Sequence, residues 1–357
     1  FPYTTLFRSL LKKIGDGAFT QIYEGCDIFD NSKIAIKLEH NSIKYPQLLF
    51  ESQLLKSFKG IGIPKIYWSG ISGEYIVMVM ELLGSNLEEL FQTCCKKFSL
   101  KTVLMICKQI IDRIHHLHNY NYIHRDIKPQ NFVIGKKENE YLLYLVDFGL
   151  AKRYKEEYTN FHIPLRQGIK LTGTIRFASC NAMNKKELSR RDDMESIGYL
   201  LLYFLKGSLP WQGLKIKQKN EKYDKIREMK MNLDLNKLCE GIPEEFGTYL
   251  KMVRKLEFEE EPEYVKYINL FDNLFKRKEF IRDYNYDWLE DKKNNKKENI
   301  KETLMYNNYD AYNNAGNINN LDEINNINEK NEDKNNSEDK TDNKEDENKT
   351  KDNCNIF

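Results

Sequence analysis

The first third of the chain places apolar and polar residues in patterns that predict particular elements of secondary structure. Segment 12–25, KKIGDGAFTQIYEG, has isoleucines on either side of a glycine-rich turn and predicts two strands joined by that turn. The alternation in KIAIKLE (33–39) predicts a further strand, and VMVMELL (77–83) is typical of a buried strand. QLLFESQLLKSF (47–58) has helical spacing instead. The chain is therefore expected to open with a small sheet and one helix.

Composition changes abruptly near residue 291. Of the 357 residues 40% are hydrophobic, enough to bury a large core in one domain or in two lobes. Residues 291–357 consist mainly of Asn, Lys, Glu and Asp, with 11 lysines against 16 acidic residues. The net charge of this tail is −5 in a chain of net +2, which leaves +7 on residues 1–290. Its small apolar content predicts a disordered tail.

The cysteines and the apolar runs limit the cellular compartments that the sequence is compatible with. Seven cysteines at irregular spacing argue against a secreted disulfide framework and for a reducing compartment, the cytoplasm or the nucleus. No apolar run reaches the roughly 18 residues that span a membrane. The opening residues FPYTTLFRS lack the apolar core of a signal peptide and resemble the in-frame translation of a sequencing-library adapter. Residues 1–9 are therefore expected to be foreign to the protein.

The first turn has the chemistry of a phosphate site. Gly15 and Gly17 have no side chains, so the turn can approach a phosphate closely and present backbone N–H groups to it. Lys37, on the next predicted strand, could reach a phosphate as a point charge, and Glu51 on the predicted helix could pair with Lys37. Taken singly, the turn is equally well a structural hairpin and each charged residue a solvated surface group.

Two later motifs decide between these alternatives. YIHRDIKPQNFVIG (122–135) and YLLYLVDFGLAK (141–152) carry the groups that phosphoryl transfer needs. Asp126 suits the base that orients and deprotonates the acceptor hydroxyl, and Lys128 suits the cation over the migrating phosphate. Asn131 and Asp147 offer oxygen ligands for Mg²⁺. These motifs, following the glycine turn, the lysine and the glutamate in order, predict a protein kinase that uses ATP and Mg²⁺.

Residues 10–290 resemble one family in particular, casein kinase 1. The resemblance is carried by VMELLGSNLEELF, HIPLRQGIKLTGTIRFAS, SRRDDMESIGYLLLYFLKGSLPWQGLK and PEEFGTYLKMVRKLEF. Most protein kinases have Ala-Pro-Glu after the activation segment, whereas casein kinase 1 enzymes have Ser-Ile-Asn. This chain has Ser179-Cys180-Asn181 there. The "GSLPWQGLK" block favours casein kinase 1 itself over its tubulin-directed relatives.

The resemblance implies an α+β, bilobal kinase fold. A small lobe with an antiparallel sheet and one helix would occupy 10–83, a larger helical lobe 84–290, and the tail 291–357. Met80 would be the gatekeeper behind the adenine and 81–83 the hinge, while Thr174 would bridge Asp126 and Lys128. Monomeric, constitutively active enzymes are typical of the family. The residues expected to bind ATP are Ile14, Gly15, Asp16, Gly17, Ile22, Ala35, Lys37, Met80, Glu81 and Leu83.

The same resemblance implies a substrate preference. Arg176 and Lys222 match two basic residues of the family that bind an anion beside the peptide groove. A guanidinium suits a phosphate or a carboxylate, so the expected substrates are proteins with Ser or Thr preceded, about three positions upstream, by a phosphorylated or acidic residue. The alternative is that Arg176 only pairs with a structural carboxylate, such as Asp192 or Asp193. By its motif, Asp193 is the buried residue that orients the catalytic loop.

Two positions depart from the family. Thr20 stands where the family has its third loop glycine, so the loop should be stiffer or sit differently over the phosphates. A second anion site of the family uses a lysine at the position that is Ile169 here, with Lys170 displaced by one residue. Arg125 and Lys152 of that second site remain.

Several other signals have simpler explanations. His115, His116 and His118 could suggest a metal, but a packed or solvated helix face explains them better. The lysines at 215, 217, 219 and 222 are expected to serve an acidic peptide groove and not nucleic acid, because aromatic residues are sparse there.

Two further alternatives concern the chain as a whole. The final CNIF has the outline of a prenylation motif with Cys354 as acceptor, but acidic residues precede it. A kinase-fold scaffold that signals by binding alone is the rival to an enzyme. The presence of Lys37, Asp126, Asn131 and Asp147 speaks against that rival.

Overall fold

The small lobe is built on one antiparallel sheet. A computed structural model describes residues 7–17, 20–27 and 29–289; the predicted tail and Cys354 lie outside the described residues. The strands are β1 (Phe7–Asp16), β2 (Thr20–Asp27), β3 (Lys33–His40), β4 (Ile66–Ser72) and β5 (Tyr75–Glu81). Their order across the sheet is β1-β2-β3-β5-β4. The strands predicted from alternation are therefore present.

β3 is the central strand and supports the only helix of this lobe's described part, α1 (Leu48–Ser57). Its side chains are buried from Ile34 to Glu39 because β2 and β5 flank it and α1 covers one face. Glu39 is only 1% exposed, and its two carboxylate oxygens accept hydrogen bonds from the amides of Gln47 (3.1 Å) and Leu48 (2.8 Å). Free amides begin every helix, so Glu39 caps α1 from the neighbouring strand.

The larger lobe is mainly helical. Two short antiparallel pairs, β6 (Tyr122–Ile123) with β9 (Lys152–Arg153) and β7 (Phe132–Ile134) with β8 (Leu143–Leu145), lie next to its first long helix. The helices are α2 (Leu87–Thr93), α3 (Leu100–Asn119), α4 (Cys180–Met183), α5 (Arg190–Lys206), α6 (Lys219–Met231), α7 (Leu235–Leu238), α8 (Glu244–Val253) and α9 (Tyr264–Arg277). None of the helices in the described ranges is long and apolar enough to cross a membrane.

Helices α3 and α5 form the centre of the large core. α5 is buried over most of its length, and α3 packs against both α5 and α9. At Gly198 an added Cβ would clash with the buried side chain of Leu250 of α8, which would have to shift. The end of the described chain is tied back to α3, since Asp287 accepts hydrogen bonds from the hydroxyls of Ser99 (2.7 Å) and Thr102 (2.8 Å). Each lobe therefore has a packed interior of its own.

Candidate active site

A cleft of about 630 Å³ separates the sheet from the helical lobe. Its walls come from β1, β2, β3 and the end of β5 on one side and from the loops after β6 and β8 on the other. Every residue predicted to contact ATP lines this cleft: Ile14, Gly15, Asp16, Gly17, Ile22, Ala35, Lys37, Met80, Glu81 and Leu83. The structure thus brings together residues that are up to 69 positions apart in the sequence, from Ile14 to Leu83.

Lys37 connects the three elements at the back of the cleft. Its Nζ lies 2.7 Å from Glu51 Oε2 on α1 and 3.3 Å from Asp147 Oδ1. Burial alone would lower the pKa of Lys37, but the charges of Glu51 and Asp147 outweigh burial and raise it. Lys37 therefore stays protonated, as a phosphate-binding cation must. The predicted partnership of Lys37 with Glu51 is present as a buried ion pair, and Phe148 donates its amide to the other oxygen of Glu51.

Asp126 is held by groups on both of its carboxylate oxygens. Oδ1 accepts hydrogen bonds from the amide (2.8 Å) and the hydroxyl (2.7 Å) of Thr174, and Oδ2 lies 2.5 Å from Lys128 Nζ. The carboxylate is 6% exposed. Thr174 and Lys128 thus contact opposite oxygens of the Asp126 carboxylate. This arrangement holds the carboxylate in one orientation, as a general base would require.

Asn131 and Asp147 face the same region of the cleft. Asn131 donates its side-chain N–H to the carbonyl of Asp126 (2.8 Å), which leaves its amide oxygen as the acceptor atom. Burial would raise the pKa of Asp147, but the charges of Lys37, Lys128 and His124 outweigh it and lower the pKa. Asp147 is therefore ionised. Two hard oxygen donors beside a phosphate site fit a divalent cation that also takes phosphate oxygens.

The glycine turn over the cleft is tight at its described ends. The amide of Gly17 donates to the carbonyl of Thr20 (2.7 Å). A Cβ on Gly17 would lie 2.5 Å from Thr20 Oγ1. The threonine that departs from the family pattern therefore occupies the space next to Gly17 and adds a reason for glycine at that position.

Arg176 lies between the cleft and a second cavity of about 400 Å³. Its guanidinium lies 5.3 Å from the ring centroid of Tyr203. Among the residues that the structure describes, no carboxylate forms an ion pair with Arg176. Asp192 accepts from the hydroxyl of Ser179 (2.6 Å) instead, and Asp193 binds His118 and the catalytic loop. Neither Asp192 nor Asp193 forms an ion pair with Arg176, and its neighbour Tyr203 donates its hydroxyl to Glu88 (3.0 Å).

The second cavity is basic. Arg176, Lys219 and Lys222 line it, together with Trp211, Gln212 and other uncharged residues, and no carboxylate is among its described lining residues. Lys222 is exposed on α6. We call this cavity the basic pocket; it brings Arg176 and Lys222 together although 46 positions separate them in the sequence.

The cations at the place of a second anion site, which the displacement of Lys170 made doubtful, are largely engaged elsewhere. Lys152 forms an ion pair of 2.7 Å with Glu187, which is 2% exposed. Arg125 donates its Nε to the carbonyl of Leu150 (2.8 Å). Lys170 is exposed. An anion at this place would have to compete with Glu187 for Lys152.

Asp193 joins α5 to the catalytic loop. It accepts hydrogen bonds from the amides of His124 (2.7 Å) and Arg125 (2.9 Å), one residue before Asp126. His118 lies between this carboxylate and Tyr264, with ring nitrogens 3.0 Å from Asp193 Oδ2 and 2.7 Å from the tyrosine hydroxyl. His115 stacks on Tyr264, with ring centroids 4.1 Å apart. His115 and His118 therefore belong to a packed face of α3 that supports the catalytic loop.

Replacing His118 by glutamine should make folding stability less dependent on pH. Burial lowers the pKa of His118, so the folded protein resists a proton that the unfolded chain accepts below about pH 6.5. The unfolded state then binds more protons. The free energy of unfolding therefore decreases as the pH is lowered, by at most about 1.4 kcal/mol per pH unit. Urea unfolding at pH 7 and pH 5 should show a smaller difference in His118→Gln than in wild type. His40→Gln, at an exposed histidine, is the control and should keep the full difference; an unchanged difference in His118→Gln would contradict the expectation.

Sequence reasoning missed several lining residues. Val133 and Val146, which lie within the two catalytic motifs, line the cleft, and so do Gln130 and Phe177. Alternation could have indicated Val133, because its neighbours Phe132 and Ile134 are buried in the core while Val133 is only half-buried. No such local pattern distinguishes Phe177.

This geometry, a nucleotide-sized cleft with a buried lysine–glutamate pair and a held aspartate, is that of a phosphotransferase. A family model described as "Protein kinase domain" matches residues 8–278. The chain therefore belongs to the protein kinase family, and its predicted α+β fold with an antiparallel sheet lobe and a helical lobe is confirmed. Membership implies a phosphotransferase that uses ATP, usually with a divalent metal ion, to phosphorylate protein substrates.

Proposed function

We propose that the protein is a serine/threonine kinase of the casein kinase 1 type. Its substrates carry an acidic or phosphorylated residue about three positions before the acceptor. The observation that carries this proposal is the basic pocket. Arg176, two residues after the Asp126-bound Thr174, shares the pocket with Lys219 and Lys222, and no described lining residue is a carboxylate. A cavity with this charge, next to the segment that contacts Asp126, suits an anionic side chain upstream of the acceptor.

In the proposed reaction Asp126 orients the acceptor hydroxyl and accepts its proton, while Lys128 stabilises the γ-phosphate in transit. Lys37, positioned by Glu51, binds the α- and β-phosphates, and the hinge at Glu81 and Leu83 binds the adenine. Asn131 and Asp147 would hold Mg²⁺, which neutralises phosphate charge when bound. Most of the catalysis then comes from positioning and electrostatics, because these groups are fixed by contacts within the protein.

Two peptides that differ only in phosphoserine or alanine three residues before the acceptor serine test the specificity. Wild type should prefer the phosphorylated peptide, and Arg176→Ala should lower kcat/KM for it by about 10- to 100-fold, the worth of a charged hydrogen bond. The KM for ATP should stay the same. Arg166→Ala, at an exposed arginine in the same segment, is the matched control and should keep the preference.

Three outcomes separate the alternatives. Equal turnover of both peptides by wild type would overturn the specificity and leave the kinase assignment. A preference that persists in Arg176→Ala would place the anion elsewhere. Turnover of neither peptide, nor of a general protein substrate, would favour a scaffold that binds without catalysis.

A further inference from the structure

Lys230, near the end of α6, has no exposed surface. Its Nζ lies 2.9 Å from the carbonyl of Ile175, 3.2 Å from that of Arg176 and 2.6 Å from that of Ala178. A lysine ammonium has three N–H donors, so all three are directed at one short stretch of backbone. This stretch, residues 175–178, runs from Thr174 to the start of α4 and lies outside any described helix or strand.

The surroundings of Lys230 are aromatic rather than acidic. Its Nζ lies 4.9 Å from the ring centroid of Tyr199 and 4.7 Å from that of Trp211. Among the described residues no carboxylate forms an ion pair with it. Trp211 donates its ring N–H to the carbonyl of Arg176 (2.7 Å), so that carbonyl accepts from two side chains.

The backbone of Lys230 is itself fixed. Arg254, at the end of α8, donates to the Lys230 carbonyl (2.7 Å) and forms an ion pair with Glu195 of α5 (3.0 Å). Lys230 therefore joins α6 to the backbone of residues 175–178, where the Arg176 carbonyl also accepts from Trp211 and the amides of Phe177 and Ala178 donate to the Thr174 carbonyl. Burying an ammonium without a carboxylate is unfavourable unless its N–H donors are satisfied. The carbonyls of Ile175, Arg176 and Ala178 satisfy them here.

We propose that Lys230 is a positioning residue for the protein substrate, which holds residues 175–178 so that Arg176 projects into the basic pocket next to Thr174. This inference rests on the proposed function, in which Arg176 binds the substrate anion. Helix α6 then contributes to substrate affinity in two ways, through buried Lys230 near its end and through exposed Lys222. The prediction concerns the protein substrate, because Lys230 itself does not line the nucleotide cleft, although Arg176 and Phe177 of the stretch that it holds do.

The charge of Lys230 gives a second observable. Burial lowers the pKa of Lys230 to about 7; the facing groups are Glu195 and Tyr199 of α5, Cys180 of α4 and Arg254. Glu195 and Cys180 oppose the decrease and Arg254 adds to it. Below pH 7 the ammonium has three donors, and above pH 7 it loses one of them and its charge. The KM for the peptide should therefore rise between pH 6 and pH 8.

The test compares Lys230→Met with Lys225→Met, an exposed lysine of the same helix. The peptides carry glutamate or alanine three positions before the acceptor, since glutamate stays ionised from pH 6 to pH 8 whereas a phosphate titrates near pH 6. In Lys230→Met the KM for the glutamate peptide should rise about 10-fold or more, as expected for loss of charged hydrogen bonds. The KM for ATP should change less than about twofold, and the rise between pH 6 and pH 8 should disappear. Lys225→Met should match wild type.

The outcomes distinguish this inference from the proposed function. If Lys230→Met keeps the wild-type KM for the peptide, the inference is wrong whatever the substrate preference is. If wild type turns over both peptides equally, the specificity proposal fails, while a raised peptide KM in Lys230→Met still supports the positioning role. Should Lys230→Met fail to fold, Trp211→Phe removes the other donor to the Arg176 carbonyl, and the wild-type pH profile is measured directly. A peptide KM that is flat from pH 6 to pH 8 in wild type and unchanged in Trp211→Phe would overturn the inference.

Discussion

Replacing Asp126 by asparagine should lower kcat for peptide phosphorylation by about 10²- to 10⁴-fold, the usual contribution of a general base. Asparagine keeps an oxygen that can accept the hydrogen bonds from Thr174, so the loop should stay in place. It cannot accept the proton of the acceptor hydroxyl, and it no longer forms an ion pair with Lys128. The affinity for ATP, measured by calorimetry, should be close to that of wild type because Asp126 does not line the nucleotide cleft.

Asp272→Asn is a suitable control for the same change of charge. Asp272 lies on α9 and pairs with Arg282, so its replacement should leave kcat unchanged. If Asp126→Asn retained more than about one tenth of the wild-type kcat, the role of Asp126 as the base would have to be given to another group.

Lys37→Met should cost both activity and stability. The methionine leaves Glu51, which is 3% exposed, without its cation, and breaking a buried ion pair from one side typically costs about 3–5 kcal/mol. Phosphate binding should suffer too, and we expect at least a 10²-fold decrease in kcat/KM, comparable to the loss of one key electrostatic contact. Urea unfolding and initial rates with a saturating peptide measure the two effects.

A double variant separates these effects. Lys37→Met with Glu51→Leu replaces the buried pair by two apolar side chains, which is often neutral or stabilising. The double variant should therefore recover most of the lost free energy of unfolding while its activity stays as low as that of the single variant. If activity returned together with stability, the ion pair would matter for folding only and phosphate binding would need a different cation.

The sequence predicted the cleft well because its chemistry lies in short motifs. The two later motifs place their functional side chains in the turns that follow short strands, as Asp126 follows β6 and Asp147 follows β8, so local patterns fix where these groups lie in the fold. The fold class was implied by the family resemblance that these motifs carry. Lys37, on the central strand, and Glu51, on the helix that packs against it, could therefore be paired from their sequence motifs alone.

Long-range packing was harder to predict. Lys230 is 52 positions or more from the carbonyls that it binds, and α6 is so polar that the lysine reads as one more exposed cation. The availability of Arg176 for an anion also depended on other residues, because only the structure showed that Asp192 and Asp193 already have partners. Such contacts leave no periodic signal, since they depend on which surfaces meet and not on the spacing within one segment.

The double attachment of α1 to β3 bears on the choice of inhibitors. Lys37 and Glu39 lie two residues apart and so point to the same side of the strand, where Lys37 pairs with Glu51 in the first turn of α1 and Glu39 caps the free amides at its start. A compound that binds by displacing α1 outward must break the Lys37–Glu51 ion pair. It must also separate the amides of Gln47 and Leu48 from their acceptor, Glu39. A compound that fills the cleft and leaves the helix in place meets neither cost. Inhibitors of this protein are therefore better sought among molecules shaped to the intact cleft.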